Sequence, residues 1–152
     1  MQHIPKLIAI LFILSLVSCN KDDDKDNEVQ LAEDIAKIEN YLEEHHLEAT
    51  KTASGLFYII SSPGSGTHPD INSNVTVNYT GKLIDGSVFD SGVFTSPLRN
   101  LIQGWQEGIP LLGSDGRCRL FIPSTLGYGA NAQSGIPANS VLIFDIHLIS
   151  FE

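Results

Sequence analysis

VLIFDIHLISF, residues 141–151, is the clearest strand in the chain. Apolar and polar side chains alternate along its centre, which is the pattern of a strand with one buried face. Asp145 and His147 are therefore predicted to face outward, and His147 to have a structural role. The inward face is predicted to carry Leu142, Phe144, Ile146 and Leu148.

The same alternation occurs upstream and predicts a sheet. Segments 54–60, 75–79 and 117–122 alternate in the same way, and turn residues such as Asp85-Gly86 separate the predicted elements. One stretch instead has helical spacing and predicts a short helix, through Ile102, Trp105, Ile109 and Leu112. Residues 51–152 are thus predicted to form one α+β domain.

A longer helix is predicted before this domain, within residues 29–50. Its apolar positions recur at helical spacing, at Leu31, Ile35, Ile38 and Leu42. This amphipathic helix could pair with its copy in a homodimer or fold back on its own domain. His45 and His46 point about 100° apart on a helix, so we expect two solvated histidines and no metal site.

The N-terminus has the features of an export signal. A cationic start is followed by the apolar run 7–17, which is too short to span a membrane. The segment 16–19, Leu-Val-Ser-Cys, resembles the bacterial lipobox. We predict a signal peptide over 1–18, lipidation of Cys19 as the membrane anchor, and an acidic tether over 19–28. The expected location is the cell envelope, on the outer membrane, at its periplasmic or surface face.

Composition excludes several classes of function. Acidic residues outnumber basic ones by 18 to 9, which argues against a nucleic-acid partner. Cys118 is the only cysteine after Cys19, so this part of the chain cannot form an internal disulfide. A loose dinucleotide fingerprint at 127–132 is followed by Gly135 and Pro137 and is better interpreted as a loop. We therefore expect no cofactor and no metal.

Aromatic residues close to one carboxylate form the informative pattern. Each aromatic alone would fit an ordinary core, whereas their occurrence with Asp90 favours a site. Asp90 directly follows Phe89, and we expect its charge to need hydrogen-bond partners. Five ordered motifs resemble the FKBP-type peptidyl-prolyl isomerases: Val77 to Gly81, Phe89 to Ser91, Gly104 to Gly108, Ile122 to Gly129 and Leu142 to Leu148. They extend over roughly residues 54–152.

The resemblance implies an antiparallel sheet wrapped around a short helix, with an apolar pocket between them. It further implies that Trp105 forms the pocket floor and that Tyr79, Phe89 and Phe144 form its walls. Asp90 would orient the site through hydrogen bonds.

The substrate contacts implied by the resemblance come from other segments. The Tyr128 hydroxyl and the Ile102 backbone amide would hold the chain next to proline, and Ile136 would close the rim. Leu98 stands where an aromatic wall residue is common in the family, and Leu101 is expected to contact the substrate beside it. The segment 92–101 is shorter than in familiar single-domain members.

The function implied is acceleration of rotation about Xaa-Pro bonds in exported proteins, assisting their folding. A macrolide inhibitor is a further implied ligand. The alternative is a chaperone or assembly module that binds proline peptides with little catalysis. A third interpretation, a structural or glycan-associated surface lipoprotein, is not excluded by the fold alone.

Overall fold

The computed structural model describes residues 21–152 and has one six-stranded antiparallel sheet, in the order β1-β2-β5-β6-β3-β4. The predicted α+β class is confirmed. The elements are α1 (Lys21–Glu44), β1 (Thr50–Lys51), β2 (Phe57–Ser62), β3 (Asn74–Leu83), β4 (Val88–Pro97), α2 (Gln103–Gly108), β5 (Gly116–Ile122) and β6 (Leu142–Phe151). The predicted signal peptide and the lipidated Cys19 lie outside the described residues.

Strand β6 is central and organises the inner core. It pairs with β5 on one side and β3 on the other. Its four predicted inward residues are all buried, with 3% exposure or less, and they pack in one cluster with α2. Alternation along this strand therefore predicts the inner face correctly, and α2 lies against that face.

Helix α1 covers part of the opposite face of the sheet. Ile38 and Leu42 are buried against Phe57, Phe121 and Ile143 in a second apolar cluster. The helix thus folds back on its own domain, which was one of the two arrangements left open by the sequence. A homodimer built on this apolar face would require α1 to leave the sheet.

The bounds of α1 differ from the prediction at both ends. Within the described residues the helix already includes Lys21, inside the segment predicted as an acidic tether. It ends at Glu44, because His46 adopts a left-handed conformation (φ 53°). Thr50, the last residue of the predicted helical region, instead lies in β1 and pairs with Tyr58 of β2.

The two histidines after α1 are both exposed. The His45 ring stacks on the Tyr41 ring at a centroid distance of 3.9 Å, and its Nδ1 lies 2.8 Å from the Tyr41 carbonyl oxygen. Within residues 21–152, no three His, Cys, Asp or Glu side chains are grouped so that they could hold a metal ion. No helix in this range is both long and apolar enough to cross a membrane.

Gly55 allows the middle of α1 to approach the sheet closely. A Cβ at this position would lie 2.9 Å from Leu31 Cδ1 and 3.3 Å from Ile35 Cδ1. The residue also has φ +92°, a conformation that side chains rarely adopt. A side chain here would therefore strain the backbone and push α1 outward.

We expect Gly55→Ala to lower the free energy of unfolding by about 2 kcal/mol, since a left-handed conformation costs about 1 to 2 kcal/mol and the contact with α1 adds to it. Urea denaturation followed by circular dichroism measures this change. Gly66→Ala is the matched control, because Gly66 has φ +80° with no atom near its Cβ position. Equal losses in the two variants would show that the approach of α1 to Gly55 is not tight.

Candidate active site

A cavity of about 340 Å³ opens between the inner face of the sheet and the start of α2. Most of its lining is aromatic or apolar. The lining residues are Tyr79, Phe89, Asp90, Phe94, Asn100, Leu101, Ile102, Trp105, Tyr128 and Phe144. Eight of these ten were predicted as site residues from the sequence, although they come from five separate segments of the chain.

A larger groove of about 620 Å³ runs over the outer side of the sheet, and it lacks a comparable cluster of aromatic side chains. Its charged side chains are largely paired with one another. Asp145 accepts hydrogen bonds from Arg119 Nε at 2.6 Å and from Lys82 Nζ at 2.9 Å. We therefore place the candidate site in the smaller aromatic cavity.

Three aromatic rings meet edge to face at the base of the cavity. Trp105 and Phe144 are 5% and 3% exposed, with ring centroids 5.1 Å apart at 85°. The Tyr79 ring contacts the indole at 5.3 Å and 74°. Such edge-to-face pairs are favourable because the positive edge of one ring meets the negative face of another. The base is therefore a rigid apolar surface.

Phe89 and Asp90 are consecutive in the chain, yet both line the cavity. Gly81 pairs with Asp90 and Lys82 with Val88, so Phe89 is an extra residue in β4. This bulge lets two successive side chains turn to the same side. Gly81 also makes room for the rings, because a Cβ there would lie 2.5 Å from Phe89 Cζ and 2.8 Å from Phe144 Cε1.

Asp90 lies at the rim of the cavity. The Tyr79 hydroxyl donates a hydrogen bond to Asp90 Oδ2 at 2.6 Å, and the Ser91 amide donates to Oδ1 at 2.9 Å. The carboxylate is exposed to solvent, although its neighbour Phe89 is partly buried. Its two donors supply the partners predicted from the sequence, without burial of the charge.

This contact changes the acidity of Tyr79. Its hydrogen bond to Asp90 is the main cause that raises its pKa from 10.0 to about 12, and partial burial and the charge of Asp90 act in the same direction. The hydroxyl is therefore a donor, not a base, at neutral pH. It fixes one carboxylate oxygen beside the cavity.

We expect the Tyr79 hydroxyl to titrate near pH 12 and, in Asp90→Asn, closer to 10. Because the pKa is raised in the folded state, the stabilising contribution of this group is complete below pH 10 and is lost as the pH rises toward 12. A ¹³C NMR titration of the tyrosine Cζ resonances, assigned with Tyr79→Phe, measures both values. Asp85→Asn, on the same hairpin, should leave the Tyr79 pKa unchanged. A wild-type Tyr79 pKa near 10 would contradict the prediction.

The segment before α2 presents a free backbone donor. The Ile102 carbonyl accepts hydrogen bonds from the Trp105 and Gln106 amides at 2.9 and 3.1 Å. Its own amide has no acceptor within residues 21–152. The Gln106 side chain donates to the Leu101 carbonyl at 2.7 Å and holds the segment in place. The Ile102 amide could therefore donate to a ligand in the cavity.

Two predicted site residues are not among the lining residues. Leu98 is completely buried in the core, so its prediction as a substrate-binding wall residue is wrong. Leu98 is the first residue of a 3₁₀ turn after β4, and this turn directs its side chain into the interior. Ile136 is 6% exposed and belongs to the inner core cluster, so its predicted place at the rim is also not observed.

Phe94 and Asn100 line the cavity but were missed from the sequence. Phe94 is 45% exposed and lies four residues after Asp90 on the same strand. Residues separated by an even number share one face of a strand, so the position of Asp90 could have indicated Phe94. Asn100 follows the buried Leu98 in a turn, and no periodicity in the sequence marks it.

Comparisons with known proteins agree with this geometry. Residues 65–149 match the family model described as FKBP-type peptidyl-prolyl cis-trans isomerase. The FkpA isomerase of Buchnera aphidicola from Schizaphis graminum is 45% identical over 109 residues, covering 68% of this chain and 43% of that protein. FkpA of Escherichia coli K12 is 38% identical over 132 residues, covering 82% and 49%. The chain thus spans less than half the length of these relatives.

Solved structures show the same fold. The crystal structure of Escherichia coli FkpA superposes with a TM-score of 0.72 at 34% identity, over 85% of this chain and 64% of that one. A peptidyl-prolyl cis-trans isomerase from Pseudomonas syringae gives 0.69 at 28% identity, over 83% and 96%. The resemblance carried by the five sequence motifs is therefore confirmed. This chain belongs to the FKBP-type peptidyl-prolyl cis-trans isomerase family.

Proposed function

We propose that this protein accelerates cis-trans rotation about Xaa-Pro bonds and so assists protein folding. The observation that carries the proposal is the aromatic cavity of about 340 Å³, with the Tyr79–Asp90 hydrogen bond at its rim. Its size and apolar base suit a prolyl ring. Family membership supports the same reaction class.

The reaction needs no nucleophile. Resonance gives the peptide C–N bond partial double-bond character and a rotation barrier of roughly 18 to 20 kcal/mol. The planar amide is more charge-separated than the twisted one, so transfer from water to an apolar cavity disfavours planarity. Preferential binding of the twisted form is sufficient for catalysis.

We assign the proposed roles from the positions of the side chains. The indole of Trp105 forms the floor beneath the prolyl ring, and the rings of Tyr79, Phe89 and Phe144 exclude water. The Tyr128 hydroxyl and the Ile102 amide donate to carbonyl oxygens of the bound chain. Asp90 fixes the Tyr79 hydroxyl through a hydrogen bond. Its negative charge lies beside the bound amide and favours the twisted form over the planar one. Each tenfold acceleration requires only about 1.4 kcal/mol of such preference.

The direct test is the rate of cis-to-trans conversion of a proline-containing tetrapeptide. We expect a rate that rises in proportion to protein concentration. A second assay follows the refolding of a protein whose slow phase is proline isomerisation. Rates indistinguishable from the uncatalysed ones in both assays would overturn the proposal.

A chaperone function with little catalysis is a second candidate. It is favoured by the exposed apolar side chains of β4, where Val88 and Val93 are 58% and 65% exposed next to the cavity residue Phe94. Such a strip could hold an unfolded chain. Suppression of aggregation that persists in Asp90→Ala but falls in the double variant Val88→Ser, Val93→Ser would support this candidate.

We further propose that the protein acts in the cell envelope on exported proteins, anchored through a lipid on Cys19 after removal of residues 1–18. The support is the sequence of that segment. The remaining parts would be the acidic segment 19–28, the helical region 29–50 and the isomerase domain 51–152. Mass spectrometry of the mature N-terminus tests the lipid, and Cys19→Ser should release the protein from membranes.

A macrolide inhibitor is a proposed ligand of the same cavity. The aromatic base supports it, and Phe94 supplies an aromatic side chain in the shortened segment 92–101. Competition between the macrolide and the proline peptide would locate the ligand. Absence of competition at saturating macrolide would contradict this proposal.

A further inference from the structure

Asp34 and Ser124 are the only buried polar or charged side chains in residues 24–152, and they are hydrogen bonded to each other. Asp34 is 0% exposed and lies on α1, whereas Ser124 begins a 3₁₀ turn, Ser124–Leu126, after β5. They are 90 residues apart in the chain. Burial of a carboxylate is costly unless it is fully partnered, so the arrangement calls for a role.

The carboxylate of Asp34 is fully partnered. Its Oδ2 accepts hydrogen bonds from the Ser124 amide at 2.8 Å and the Ser124 hydroxyl at 2.5 Å. Its Oδ1 accepts from Gln30 Nε2 at 2.9 Å and Lys37 Nζ at 3.2 Å. The two α1 donors hold the carboxylate, and its other oxygen holds the start of the 3₁₀ turn.

Ser124 in turn holds the residues on both sides of Tyr128. The Ser124 carbonyl accepts hydrogen bonds from the Gly127 amide at 2.9 Å and the Gly129 amide at 2.8 Å. The side chain of Tyr128 lines the aromatic cavity. A continuous chain of hydrogen bonds therefore runs from α1, through Asp34 and Ser124, to the backbone that carries the Tyr128 hydroxyl.

We infer that Asp34 is a positioning residue for Tyr128, so that α1 helps to build the site from the opposite side of the sheet. The inference rests on the proposed function in that Tyr128 is taken to contact the substrate. Loss of the Asp34 carboxylate would release the 3₁₀ turn and let the Tyr128 hydroxyl move away from its position. The effect on turnover would then pass through Tyr128.

The kinetic test is a double-mutant cycle on the full chain. We expect Asp34→Ala to lower kcat/KM about fivefold in the wild-type background and less than twofold in Tyr128→Phe, because substitutions that act through one hydrogen-bond network are non-additive. Glu39→Ala is the matched control on α1, because Glu39 is exposed and its only side-chain hydrogen bond among the described residues is with Lys51. Its kcat/KM should stay within twofold of wild type. An equal loss from Asp34→Ala in both backgrounds would overturn the inference.

Hydrogen exchange gives a readout that does not depend on activity. In Asp34→Ala, the Gly127 and Gly129 amides should exchange about tenfold faster relative to amides of β6, which report global opening. Should Asp34→Ala fail to fold, Ser124→Ala, which removes only the hydroxyl donor, carries both tests with a smaller effect. An unchanged exchange ratio would refute the positioning role. If wild-type protein shows no isomerase activity, the proposed function fails while the exchange ratio still decides this inference.

Discussion

Replacing Phe144 with alanine should remove both the wall of the cavity and a central part of the core. The Phe144 ring lies 5.1 to 6.2 Å, centroid to centroid, from the rings of Trp105, Phe89 and Tyr79. Truncation of a buried phenylalanine costs about 3 to 5 kcal/mol. Because domains are stable by about 5 to 15 kcal/mol, we expect a folded but clearly weakened variant.

The same change should lower kcat/KM about tenfold or more. Loss of the ring lets water into the cavity and removes the surface on which the prolyl ring would pack, so the twisted amide is no longer favoured by desolvation. The measurements are urea denaturation and the tetrapeptide assay, both at low temperature. If Phe144→Ala does not fold, Phe144→Leu keeps most of the volume and carries the activity test.

Leu148→Ala is the matched control for Phe144→Ala. Leu148 is completely buried on the same face of β6, but it does not line the cavity. We expect a loss of stability of about 2 to 5 kcal/mol with kcat/KM within about twofold of wild type. Activity that survives in Phe144→Ala, or is lost equally in Leu148→Ala, would disconnect the aromatic cavity from turnover.

The inner face of the sheet is predictable from the sequence because alternation has a physical cause. A strand with one buried face must place apolar side chains at every second position, as β6 does. The outer face of the same strand is less predictable. Ile143 lies between two inward residues and is nevertheless buried, because α1 covers that part of the outer face. No local pattern in β6 shows where a distant helix will lie.

The cavity shows the same limit. Family motifs indicated most of the lining, since they mark aromatic residues around a single carboxylate. They failed at Leu98, where the backbone turns the side chain inward, and they missed Phe94, which lines the cavity from the middle of β4. Segment 92–101 is shorter than in familiar relatives, so its side chains cannot be assigned by matching positions alone.

The role of α1 was beyond the reach of periodicity. The apolar positions of the helix predicted an amphipathic element, and Asp34, three residues after Leu31 and four before Ile38, lies at the edge of its apolar face; the spacing does not show that a charged side chain there is buried. Its burial is a tertiary effect, because the Ser124 turn supplies two donors at the point where the helix crosses it. A buried carboxylate can be recognised only when its partners are known.

Replacing Asp90 with alanine should lower kcat/KM about tenfold with little change in stability. A hydrogen bond to a charged group contributes roughly 1.5 to 3 kcal/mol, and exposure of Asp90 to solvent places the expected effect at the lower end. In the wild type the Tyr79 hydroxyl donates to Asp90 Oδ2. The variant frees this hydroxyl and removes the negative charge beside the bound amide. Turnover depends on both, whereas the core does not contain the carboxylate.

The effect of Asp90→Ala should therefore differ in kind from that of Phe144→Ala. The measurements are the tetrapeptide rate and the urea midpoint, which we expect to stay within the equivalent of about 1 kcal/mol of wild type, as is usual for exposed positions. Asp85→Ala is the matched control: Asp85 is an exposed aspartate of the β3–β4 turn that bonds only Ser87. Its rate should be unchanged. The Asp90 carboxylate is the one charged group among the residues that line the cavity. Wild-type turnover in Asp90→Ala would therefore mean that desolvation by the aromatic rings alone drives the rotation.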